Sequence, residues 1–144
     1  LSTVVDSRTN TNIQTNRTGI VDGSTQTFNI VFADLDTNNA TYIKSGGKLV
    51  INVPKGWTNV NVLSNPGFDS PVTVINHGDG STQIIGTLSA NLGNAANQAD
   101  TIQFSAVAPT SATPQMYVMY ILAEGETATN FAIGPISEII LGVS

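Results

Sequence analysis

Residues 24–32 read STQTFNIVF, and the order of those side chains decides the fold class. Gln26, Phe28, Ile30 and Phe32 fall on one face of an extended chain, and Thr25, Thr27, Asn29 and Val31 on the other. A period of two marks a strand with one buried face, because successive side chains of extended backbone point to opposite sides. The turn formers DLDTNN at 34–39 then end it.

Outward from this segment the same grammar recurs. GKLVINV at 47–53 sets Leu49, Ile51 and Val53 against Lys48, Val50 and Asn52. Pro54 lacks a ladder donor, so PKG at 54–56 closes that strand. WTNVNVL at 57–63 opposes Val60 and Val62 to Asn59 and Asn61, and ATYIK at 40–44 predicts a short strand stopped by SGG. PVTVINH at 71–77 and TQIIGTLS at 82–89 flank Gly78 to Ser81, a strong hairpin signal. LGNAANQAD at 92–100 predicts a loop or a single turn. DTIQFSAVAP at 100–109 returns to alternation, with Ile102, Phe104, Ala106 and Ala108 on one face. After the linker PTSATP, QMYVMYILA and SEIILGV are the final strands, joined through EGETATNFAIGP, and VMYIL is apolar enough for a central strand covered on both faces. Strands separated by turns every eight to twelve residues predict an all-β chain, an Ig-like or jelly-roll-like β-sandwich of two packed, mainly antiparallel sheets. The expected domain spans 21–144, preceded by an extended segment at 1–20.

The chain has 144 residues, enough for one self-supporting core. Only 10% are charged, so solubility rests on hydroxyl and amide side chains, as on many exported proteins. Leu1 in place of Met agrees with removal of an export signal, and the absence of Cys excludes thiolate metal or redox chemistry. No apolar run reaches the roughly 20 residues of a membrane helix, so the mature chain is expected to have no membrane span. A net charge of −5 and five scattered cations, Arg8, Arg17, Lys44, Lys48 and Lys55, argue against a phosphate-binding surface, so no nucleic-acid partner is expected. The extracellular space or cell surface is the expected location.

Candidate chemistry is sparse. His77 is the sole histidine and lies beside Asp79 and Ser81 in INHGDGS, yet Gly-Asp-Gly is turn chemistry and neighbours so close in sequence do not face one another as a triad does. No catalytic residue and no cofactor are therefore expected. Asp34, Asp36 and Asn38 have the opening rhythm of a calcium loop but lack its glycine and closing acid, leaving an Asx-rich turn or a loose surface calcium site. Asn16 and Asn39 head N-x-Thr sequons, candidate sites of glycan attachment. Trp57, directly after Pro-Lys-Gly, is expected to cap one end of the core.

The first twenty residues, LSTVVDSRTNTNIQTNRTGI, have β-propensity without means of folding alone, and need a sheet to join. An extended segment can complete a neighbour's sheet, and a head-to-tail contact of that kind propagates. GGKLVINVPKGWTNVNVL at 46–63, TIQFSAVAPT at 101–110 and AIGPISEIILGV at 132–143 together resemble small secreted Ig-like filament subunits, the archaeal thread and bundling-pilus proteins and the bacterial biofilm-matrix fibre protein. The resemblance implies polymerisation by donor-strand complementation between identical subunits, with Leu1, Thr3, Val4, Val5 and Ile13 as donor residues. The alternative is a cell-surface Ig-like module that does not polymerise, such as an adhesin, a carbohydrate-binding domain or a surface-layer domain.

Overall fold

The computed structural model describes residues 2–7, 10–14, 17–33, 42–93, 96–111, 113–124 and 137–144, with side chains over 19–32, 42–93, 96–111, 113–119 and 140–144. Strands run β1 (Ser2–Ser7), β2 (Asn10–Gln14), β3 (Arg17–Ile20), β4 (Thr25–Ala33), β5 (Lys48–Val53) and β6 (Thr58–Ser64). They continue with β7 (Thr73–Asn76), β8 (Thr82–Thr87), β9 (Ala99–Val107), β10 (Gln115–Glu124) and β11 (Ser137–Val143). The described residues contain no helix.

Two sheets form, a five-stranded one ordered β2-β1-β4-β9-β6 and a six-stranded one ordered β3-β11-β10-β5-β8-β7. Among the described residues every strand pairing is antiparallel except β3 with β11. Phe28, Ile30 and Phe32 of β4 and Ile102, Phe104 and Ala106 of β9 are buried in one cluster with Leu49, Ile51 and Val53 of β5, Ile84 of β8 and Leu141 of β11. The two alternating faces thus meet as a sandwich, and burial of such aliphatic and aromatic side chains is its main driving force. β10 lies between β11 and β5, the central place expected for VMYIL.

One expectation is corrected, and two burials are unforeseen. Of ATYIK only Tyr42 to Lys44 are described, and they form no strand: Ile43 makes one isolated bridge with Leu92, each N–H donating to the other's carbonyl at 2.8 Å, before the chain turns at Lys44 to Gly47. Val50, on the outer face of β5, is nonetheless buried, because its strand runs between β8 and β10 with Ile85 and Leu122 opposite it. Asn29, on the face of β4 opposite Phe28 and Ile30, is likewise buried, 2% exposed in the middle of the ladders that join β4 to β1 and β9.

Trp57 is buried where the β5–β6 connection returns to the core, edge-on to Phe28 at 5.8 Å between ring centroids and to Tyr117 at 6.3 Å. Phe28 also stacks on Phe104 at 5.1 Å. The aromatic group pins the two sheets together at one end.

Candidate functional site

The segment before residue 21 is strand-paired throughout its described length. β1 lies antiparallel to β4, with Ser2 opposite Ala33, Thr3 opposite Phe32, Val4 opposite Val31, Val5 opposite Ile30 and Asp6 opposite Asn29. Thr3 and Val5 therefore take the two register positions facing core residues of β4. β2 folds back on β1 and has no other neighbour among the described residues, and Ile13 pairs there with Asp6. The β1–β2 hairpin thus joins the rest of its sheet through one ladder. β3 crosses to the other sheet and runs beside β11, where the Ser144 N–H donates to the Ile20 carbonyl at 2.9 Å. Leu1 lies outside the described residues, as do the sequon residues Asn16 and Asn39 and the calcium candidates Asp34, Asp36 and Asn38.

The β7–β8 hairpin forms in the expected register, Asn76 opposite Thr82 and Val74 opposite Ile84. Across its turn, the His77 N–H donates to the Ser81 carbonyl at 2.9 Å, and the Gly80 N–H to the His77 carbonyl at 3.1 Å. Asp79 accepts from the Ser81 hydroxyl at 2.6 Å and the Ser81 N–H at 2.9 Å, and these bonds, the hydroxyl first, hold its carboxyl below the ordinary aspartate range. The His77 ring instead pairs through Nε2 with Oε1 of Gln83 at 2.9 Å. Gln83 Nε2 then donates to Oδ1 of Asn52 at 2.8 Å, so His77 begins an amide ladder across the outer face of β8 and β5.

One buried acid had no signal of its own in the sequence. Asp100, at the start of β9, accepts from Nδ2 of Asn97 at 3.0 Å, while the same amide donates to the Asn91 carbonyl at 3.0 Å. Burial pushes the Asp100 carboxyl above its ordinary value, and the Asn97 bond opposes that shift. Its neighbour Gly67 comes from a turn that only the folded chain brings close. Among the described residues no three His, Cys, Asp or Glu side chains gather where they could hold a metal ion.

The sheet edges differ in a way that composition does not reveal. β6 is broken against β9 at two places, and Asn59 within it adopts φ 53°. β7 pairs with β8 in unbroken register, and all four of its residues are exposed. Between these edges lies a groove of about 340 Å³ whose lining includes Val60, Val62, Val72 and Val74.

No protein-family model matches the chain, and no curated protein matches it in sequence. Among solved structures it is similar to BcpA, the major pilin subunit of Bacillus cereus, with a TM-score of 0.52 and 11% identity over 99% of this chain. The chain spans 40% of that pilin structure. The Actinomyces fimbrial adhesin FimA gives a TM-score of 0.46 at 12% identity, over 92% of this chain and 49% of the adhesin. AvmM, which catalyses macrocyclization in alchivemycin A biosynthesis, gives 0.45 at 11% identity, over 99% of this chain and 88% of AvmM. At these identities the likeness to BcpA establishes the Ig-like sandwich fold.

Proposed function

We propose that the chain is a non-enzymatic structural subunit of an extracellular filament or pilus, joined to identical subunits by exchange of its first strands. The observation that carries this reading is the single ladder between β1 and β4, through which the β1–β2 hairpin meets its sheet. A β1 strand supplied by a neighbouring subunit makes the same main-chain bonds to β4, so exchange conserves the ladder while linking two molecules. Thr3, Val4 and Val5 are the donor residues on that ladder, and Ile13 steadies the hairpin opposite Asp6. Because the donor and acceptor surfaces differ, each joined subunit still offers one of each, and the contact propagates.

The fold is one that a pilin subunit also uses, which makes it a suitable frame for assembly without assigning one. Low charge supports the same reading, since subunits with little mutual repulsion associate readily. Glycans on Asn16 or Asn39 and a calcium ion near Asp34 are compatible additions on which the reading does not depend. Electron microscopy of the purified chain with and without residues 1–14 tests it. Filaments that disappear on truncation are the expected result. Monomers in both samples, together with retained binding to a glycan array, would transfer the protein to the adhesin or carbohydrate-binding class.

A further inference from the structure

The tripeptide Asp-Gly-Ser occurs twice, at 22–24 and at 79–81, and the chain has no Asn-Gly. Asp-Gly is where a protein chain can rearrange unaided. The glycine nitrogen attacks Cγ of the neutral carboxylic acid, an N–Cγ bond forms, and the amide proton and carboxyl hydroxyl depart as water, leaving a five-membered succinimide. Water then opens the ring. Opening at the main-chain carbonyl breaks the original peptide bond and leaves the chain running through Cβ and Cγ, an isoaspartate with a free α-carboxylate. Glycine favours the attack because no Cβ shields its nitrogen.

Exposure alone ranks Asp79 as the more reactive of the two. It is exposed in a hairpin turn between Gly78 and Gly80, whereas Asp22 is half-buried. The hydrogen bonds reverse that order. Both donors of Ser81, its hydroxyl at 2.6 Å and its N–H at 2.9 Å, go to Oδ1 of Asp79. They stabilise the carboxylate ion, lowering its pKa, and so deplete the neutral acid that the attack requires. The Gly80 N–H is itself held by the His77 carbonyl at 3.1 Å, the bond that closes the turn.

Around Asp22 both donors of Ser24 point elsewhere. Its N–H, at 3.2 Å, and its hydroxyl both bond the Val21 carbonyl. A hydroxyl has one proton to donate, so Ser24 has none left for Asp22. Oδ2 of Asp22 accepts instead from the Ser111 N–H at 3.3 Å, a long bond.

We propose that Asp22 is the isoaspartate-forming site of the folded chain, and that Ser81 protects the matching Asp79 from the same change. At position 22 the change has structural weight. The Asp22 N–H donates to the Ser144 carbonyl and the Gly23 N–H to the Pro109 carbonyl, each at 3.2 Å, where the chain passes from β3 in one sheet to β4 in the other. One added main-chain methylene between those two amides puts them out of step with both acceptors. The inference is independent of strand exchange.

Incubation of the purified chain in mildly acidic buffer, followed by peptide mapping against synthetic aspartyl and isoaspartyl standards, reads both sites in one sample. Isoaspartate is expected to accumulate at least about threefold faster at Asp22 than at Asp79, a conservative value for the loss of a hydrogen bond to a charged group. In concentrated urea the preference should vanish, with Asp79, between two glycines, reacting at least as fast. Ser81→Ala is expected to accelerate the change at Asp79 at least about threefold and to leave Asp22 unaltered. The rate at Asp22 thus reports, within the same tube, that the variant is folded. Four results overturn the proposal: Asp79 reacting as fast as Asp22 in the folded parent, a preference for Asp22 that persists in urea, no acceleration at Asp79 in Ser81→Ala, or an acceleration there that Asp22 shares.

Discussion

Asp100 and Gly67 show how a single contact sets local chemistry. A Cβ at position 67 would overlap the Asp100 carboxylate, and Gly67 has φ +87°, a conformation that side chains with a Cβ disfavour. Gly67→Ala is therefore expected to lower stability by about 2 kcal/mol or more, read as a fall in Tm or in the denaturation midpoint. The raised Asp100 pKa fixes a sign: the folded chain holds this proton more tightly than the unfolded one, so the group favours folding below the ordinary carboxylate range and loses that contribution as pH rises through its folded value. Asp100→Asn, which keeps an acceptor for Asn97, should raise Tm relative to the parent at pH 7, with the difference shrinking toward about pH 3. A difference that stays constant with pH would refute the assignment. Exposed Asp79 runs the other way, its lowered pKa contributing above the ordinary range and failing as pH falls. The Asp79 turn was legible from Gly-Asp-Gly, but the Asp100 environment was not, because in the sequence Asp100 is only the polar start of a strand and Gly67 is thirty-three residues earlier.

Elements were more legible than residues wherever their information is local. The β7–β8 hairpin needed only alternation and a Gly-Asp-Gly turn, and the buried faces of β4, β5 and β9 follow from period two alone. What alternation could not supply was the neighbour of each strand, or what covers its second face. Hence the unforeseen burial of Asn29 and Val50 on the second face of their strands, and the misreading of Tyr42 to Lys44, whose single bridge depends on Leu92 nearly fifty residues away. Gly86 illustrates the same limit. It occupies an inward position of β8 opposite Leu49, and a Cβ there would lie 2.6 Å from Cδ1 of Phe68 and 2.9 Å from Cδ1 of Ile102. The missing side chain makes room for Phe68, which stands edge-on to Phe32 at 6.0 Å. Gly86→Val, favourable by strand propensity, should instead destabilise by about 1–3 kcal/mol through overpacking. An unchanged urea midpoint would mean that Phe68 swings aside without cost.

For the whole molecule the question is whether β1 belongs to one chain or is shared between two. Without β1 and β2, β4 becomes a sheet edge directly beside the buried row Phe28, Ile30 and Phe32, so a chain lacking residues 1–14 should be less stable and associate through that edge. The β1–β4 ladder involves no charged residue of β4 and is made of main-chain bonds, and a separate peptide can make those bonds as well as a tethered strand, at the cost of association entropy. A synthetic peptide of residues 1–14 is therefore expected to bind the truncated chain, raise its Tm in a concentration-dependent way and suppress its aggregation. The fluorescence of the sole tryptophan, Trp57, buried against Phe28 of β4, offers a second readout of the same event. A peptide with its order scrambled should do neither, because register places Thr3 and Val5 opposite Phe32 and Ile30. If the native peptide shifts Tm no more than the scrambled one, β1 is not separable from its chain, and assembly by strand exchange has lost its physical basis.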